Sequence, residues 1–298
     1  MLLPHRLAMS AIDLRRFIYC VLIWGTTWLA ITFQLGAVAP EASVAWRFGL
    51  SALILAGICR WRGLPMRFSW RVHLHLYGFG VTMFGVGYVC VYYAESHVAS
   101  GLVAVGYSVL PLTNQLGARL AMGTPMSRRV SIGGAIGLFG VVCVFWPELA
   151  GLKPGRDVVL GALFTAGGVL ASTAGNVWAS QLEREGVGVL QKMAWGMAYG
   201  TATSLLAALV AGVPLGFDAS PAYLLSLLYL ALFGSVAAFF FYLKLLENVG
   251  GGRAGYIGVM TTVVALVLSS LFENFHWTPI SLLGLGAAIV GNLFILKR

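Results

Sequence analysis

Gly25-Thr26-Thr27-Trp28 and, 150 positions later, Gly175-Asn176-Val177-Trp178 share one G-x-x-W pattern in a chain of 298 residues. A shift of 151 lays Gly101 on Gly252, Gly133 on Gly284 and Gly140 on Gly291. Half the chain is 149 residues, so both shifts describe one unit written twice. Around each copy lie apolar runs of the length a helix needs to cross a bilayer, about 20 residues. Ten are read, at 17–35, 42–59, 72–94, 99–119, 129–146, 158–181, 192–213, 222–243, 254–272 and 279–296. Each unit then holds five. Five is odd, so the second unit enters the membrane inverted relative to the first, an arrangement that places a site at the repeat interface. The expected fold is an all-α polytopic membrane protein: ten transmembrane helices as two inverted five-helix repeats around a central cavity. Residues 1–16 are read as a cytoplasmic N-terminal segment, 17–146 as the first repeat, 147–157 as a periplasmic linker and 158–298 as the second repeat.

Composition agrees. Apolar types make up 59% of the chain and charged types 10%, too few charges to cover a soluble surface. Low hydrophobicity, the mark of disorder, is absent. The net charge of +9 is no nucleic-acid signal, because Lys and Arg sit at the ends of apolar runs. With the N-terminus inside, sixteen of the 19 basic residues fall on the cytoplasmic side and only Lys153 and Arg156 opposite. That asymmetry puts both termini in the cytoplasm. The last basic residue, Arg47, lies inside the second run. The first run, with two tryptophans and three threonines, is read as a retained span rather than a cleaved signal.

Little chemistry is offered. The ten acids and five histidines all sit at span ends or in loops. Cys20, Cys59, Cys90 and Cys143 form no C-x-x-C pair, so neither a metal site nor a cofactor is expected. No nucleophile elbow, zinc helix or phosphate loop occurs, so no catalytic residue and no ATP-driven engine is assigned. Without an intramembrane carboxylate or histidine, a proton-driven cycle finds no carrier at the midplane, which favours a facilitator running down its substrate gradient; a proton path through peripheral groups such as Glu95 or His97 is the other reading.

The interior polar inventory is mild. Trp24, Thr27, Trp28 and Ile31 share a face of span one; Phe84, Tyr88 and Tyr92 share one in span three. Span four offers Tyr107 and Asn114 on either side of Pro111, the one mid-span proline, read as a static kink or a hinge. Span six adds Asn176 and span nine Tyr256. Together these suggest a pocket with aromatic walls for a small amphipathic solute; each residue could equally serve helix packing. Arg47 is open to two readings. One is a structural anchor that snorkels outward toward an acid such as Glu41; the other is an anion contact for a substrate carboxylate. Gly133, Gly137 and Gly140 have the small-residue spacing of a close helix contact. Gly250-Gly251-Gly252 reads as a turn.

Trp24 through Ile31, Pro40 and Ala45-Trp46-Arg47-Phe48 resemble the opening of EamA-type carriers in the drug/metabolite transporter superfamily. Tyr92-Tyr93-Ala94, Ser108-Val109-Leu110-Pro111, Gly133 and Gly140 look like the end of that family's five-span unit. Arg253-Ala254-Gly255-Tyr256 through Glu273, Thr278-Pro279 and Gly284 resemble the same stretch of the second unit. Thr124 departs from the acid often found there, and Thr261-Thr262 stand where a proline is common. The chain is most similar to the YddG-type aromatic amino acid exporters. The resemblance implies ten helices around a central cavity in a bacterial inner membrane, exporting amino acids, aromatic or other neutral ones, by alternating access. The alternatives are a different metabolite or drug as cargo in the same kind of carrier, or a membrane-embedded enzyme or scaffold. The partners expected are a small-molecule substrate and membrane lipid, with no nucleic acid; a monomer suffices.

Overall fold

The computed structural model describes residues 10–123, 125, 128–149, 155–254, 256–273 and 277–296. Parts of the expected N-terminal segment and linker, Thr124, and the side chain of Tyr256 lie outside the described residues. Among those described, the chain is helical and contains no strand.

Helix α1 (Ala11–Thr32) begins six residues before the apolar run because Ser10 caps it, its Oγ accepting from the Asp13 N–H at 3.1 Å. A proline in the first turn opens α2 (Pro40–Trp61). The third rod is α3 (Trp70–Phe79), a π-helical segment (Gly80–Val86) and α4 (Gly87–Glu95). The fourth is split into α5 (Ser100–Tyr107) and α6 (Leu110–Met122), and α7 (Arg128–Leu149) follows. Then come α8 (Arg156–Arg184) and α9 (Val189–Ala211). Next is a rod made of α10 (Pro221–Tyr229), a second π segment (Leu230–Ala237) and α11 (Ala238–Ala254). Helices α12 (Tyr256–Phe272) and α13 (Pro279–Leu296) close the chain.

Six of these segments are long and apolar enough to cross a membrane: Ala11–Thr32, Pro40–Trp61, Trp70–Glu95, Arg156–Arg184, Val189–Ala211 and Pro221–Leu245. Three shorter apolar stretches lie in α7, α12 and α13. The expected fourth span is too broken to qualify, since 8 and 13 residues flank Ser108-Val109. Pro111 therefore sits in the first turn of α6 rather than in mid-helix. The turn expected at Gly250-Gly251-Gly252 is absent, because α11 continues through it to Ala254.

Helix pairing recurs between the two halves. Helix α7 packs along α13, α2 along α9 and α5 along α12. Helix α1 packs on α12 and on the second π segment and α11; α8 packs on α5 and α6 and on the first π segment and α4. The α7–α13 seam is the closest. A Cβ on Gly140 would stand 3.0 Å from the Ala288 Cα, and one on Gly291 would stand 2.9 Å from the Gly137 Cα. Gly140 meets Gly284 and Gly133 meets Gly291, so the two helices run antiparallel. Lipid supplies no hydrophobic drive between helices, so such close van der Waals contact holds the seam.

Candidate functional site

The largest buried cluster is a set of rings between the two halves. Its parts come from α1, α2, the third rod, α5, α8, α9, the second π segment and α11. Trp24 stacks edge-on against Phe239 with centroids 5.0 Å apart and lies 5.1 Å from Tyr242. Phe48 lies 5.1 Å from Phe84 and 4.8 Å from Tyr88. Phe84 in turn meets Phe239 at 5.1 Å. Trp28 meets Tyr107 edge-on at 5.3 Å, and the Tyr107 hydroxyl reaches Ser172 Oγ at 3.5 Å.

The π segments place several of these groups. In a π turn the amide bonds five residues back instead of four. The Ala238 N–H donates to the Phe233 carbonyl, so the Gly234 carbonyl is passed over. Trp24 Nε1 donates to that Gly234 carbonyl at 3.1 Å. The Thr27 methyl covers the same glycine. The first segment repeats the device, with the Gly87 N–H donating to the Thr82 carbonyl.

Phe84 and Tyr92 are wholly buried and serve as packing. Tyr88, Tyr107 and Tyr242 are half-buried, packed on that cluster. Trp24 and Trp28 are half-buried against the same cluster. Thr27 is buried, its hydroxyl turned back to the Trp24 carbonyl at 2.9 Å. Asn114 and Asn176 lie apart from the ring cluster, joined to each other at 3.1 Å in the α6–α8 seam. That seam leads to a cleft of about 290 Å³ lined by His75, Ala121, Met122, Val177, Trp178 and Gln181. At its rim His75 stacks on Trp178, and His75 Nδ1 lies 2.6 Å from Glu185 Oε1.

Arg47 does not snorkel to Glu41. Glu41 Oε1 accepts from the Tyr93 hydroxyl at 2.7 Å, while Arg47 turns inward and donates from Nε to Ser235 Oγ at 3.0 Å. The acids also depart from expectation, because Glu41 and Glu95 are buried although they stand at helix ends. Ser100 donates to the Glu273 carboxylate from both its amide and its hydroxyl. Tyr92 donates to Gln34 Oε1 at 2.8 Å. The four cysteines are unpaired, and no cluster able to hold a metal ion occurs among the described residues.

Phe48, Phe239, Tyr242, Trp178 and His75 join the site without having been counted among the pocket residues. The repeat could have found three of them. Shifting Tyr92 by 150 gives Tyr242, shifting Tyr88 by 151 gives Phe239, and Trp178 is the partner of Trp28 in the motif itself.

Comparison with known proteins adds the following. The chain is 28% identical over 275 residues to the inner membrane transporter YedA of Escherichia coli strain K12, covering 92% of this chain and 87% of YedA. It is 27% identical over 278 residues to the protein PecM of Dickeya dadantii, covering 93% and 87%. A protein of known crystal structure shares the fold with a TM-score of 0.70 at 18% identity, covering 96% of each chain. The profile of the EamA-like transporter family matches twice, over residues 16–146 and 159–297. Two matches that take in nearly all of a helical, membrane-spanning chain leave one conclusion: the protein belongs to the EamA-like transporter family.

Proposed function

We propose that the chain is an inner-membrane exporter of amino acids, aromatic or other neutral ones, working by alternating access without ATP. Its ten spans form two inverted five-helix repeats, with both termini in the cytoplasm. The observation that carries this reading is the group of half-buried rings, Trp24, Trp28, Tyr88, Tyr107 and Tyr242, gathered between halves whose helix contacts recur crosswise. The antiparallel α7–α13 seam favours inversion. The π segments starting at Gly80 and Leu230, 150 positions apart, favour duplication, as does the double family match. The name of YedA supports the inner membrane, and the sixteen-to-two split of basic residues supports the orientation.

In this mechanism the solute enters through the cleft beside Trp178 and passes the Asn114–Asn176 pair. It then rests among Trp24, Trp28, Tyr88 and Tyr107, with Thr27, Phe84 and Tyr92 behind them and Tyr256 on the cytoplasmic side. Aromatic walls bind an apolar body by area and edge-to-face contact, and the phenol and indole groups supply polar handles. The halves rock about this centre, and the α5–α6 break before Pro111 gives the bend. Purified protein in liposomes should exchange labelled Phe against internal Phe without ATP. Absence of exchange across a panel of neutral amino acids overturns the reading. Exchange confined to some other metabolite or drug would establish the runner-up, a carrier of the same superfamily with different cargo.

A further inference from the structure

Arg47 is among the largest fully buried side chains, 1% exposed, and its charge is only partly answered. Nε is bonded to Ser235, but Nη1 is sealed from water and has no hydrogen-bond partner. Its nearest flat neighbours are rings: Cζ lies 4.6 Å from the Tyr88 centroid and 5.1 Å from that of Phe48. Among the described residues no carboxylate comes within ion-pair reach of it. Glu41 is engaged by Tyr93. Glu95 is near enough to feel the guanidinium, but its own two oxygens are also without partners.

A cationic donor left unpaired in a low-dielectric interior is among the costliest arrangements a fold can hold. A purely structural arginine would have its fork on acceptors. Here Nε is fixed by a hydroxyl on the second π segment, the plane lies against rings, and Nη1 is left without an acceptor. The fork geometry of guanidinium matches a carboxylate. Tyr88 touches Arg47 with its ring and is itself only half-buried. Resting on the carrier reading above, we infer that Arg47 binds the carboxylate of the cargo when Tyr88 moves aside. The ligand class is a monocarboxylate with an apolar or aromatic body. The carboxylate rather than an ammonium is the required charge, since the unpaired cation is fixed in the protein.

The test is a binding series on purified wild-type protein with labelled L-phenylalanine, 3-phenylpropionate and 2-phenylethylamine. Both acids should bind at least about tenfold tighter than the amine, the scale of a fully desolvated charge pair. Arg47→Lys, eluting as the wild type does, should lower the affinity for both acids and leave the amine unchanged. Equal binding of acid and amine, or a preference that survives Arg47→Lys, overturns the inference. Should Arg47→Lys not be recovered folded, Ser235→Ala frees the guanidinium without deleting its charge. It should weaken only the acids, and an unchanged acid affinity overturns the inference. The same series with leucine, 4-methylpentanoate and isopentylamine separates the two readings. A preference for acids in the aliphatic set alone ends the aromatic cargo and keeps the role of Arg47. No binding of either set by the wild type removes both.

Discussion

Trp24 commits both its ring and its single polar atom to the second half of the chain: the ring to Phe239 and Tyr242, the indole N–H to the Gly234 carbonyl. Trp24→Phe keeps much of the ring contact and removes the donor. The carbonyl is then stranded in a dry interior, which costs about 1–3 kcal/mol. The melting temperature of the purified protein should fall by a few degrees. An unchanged melt would mean that another donor reaches the carbonyl. Trp28→Ala removes the edge-to-face contact with Tyr107 and should slow exchange more than it lowers the melting temperature. At this scale the sequence spoke unevenly. Depth along a helix is readable from the position of a residue within its apolar run, so Trp24, Trp28, Tyr88 and Tyr107 could be placed near the centre. Direction is not readable for a long side chain. Arg47 can reach outward or inward from one backbone position, and only the hydroxyl of Ser235 decides it.

Among the elements, the α7–α13 seam depends most on a single residue type. Gly140→Leu would drive a branched side chain into the backbone of α13 around Ala288 and Gly284. Overpacking costs typically about 1–3 kcal/mol when neighbours can shift, and backbone cannot shift easily here. The variant should lose most of its monodisperse yield on size exclusion, whereas Gly137→Ala, with open space at its Cβ, should retain it. The α5–α6 break shows how far Pro111 could be read. A proline lacks the amide that would bond back to Tyr107, and it disfavours helical geometry in the residue before it. A weak fourth span was therefore legible, but the position of the break, at Ser108-Val109, depends on what the flanking helices pack against. If the break serves as a hinge, Pro111→Ala should slow exchange several-fold with little change in melting temperature. The π segments left no trace in the sequence, since no residue preference separates a five-back from a four-back hydrogen bond.

For the whole molecule, length, hydropathy and the placement of Lys and Arg carried most of what could be known. These are sums over many residues and tolerate local surprises such as the continuation of α11 through three glycines. The orientation they imply has a direct check. Green fluorescent protein fused to either end should fluoresce in cells, and alkaline phosphatase fused at the same points should be inactive. The opposite pattern at one end alone would overturn the proposed inversion of the two halves. What the sums could not supply was the partnering of halves. The exchange of α1 with α8, of α2 with α9 and of α5 with α12 is a property of the assembled bundle, and the G-x-x-W echo gave only its period.

The two π segments carry one more implication. A π turn bonds five residues back, so each of these rods releases a main-chain carbonyl from its own ladder. At Leu230–Ala237 the Gly234 carbonyl set free in this way is taken by the indole of Trp24, so an irregularity inside one rod becomes a tie to the opposite half.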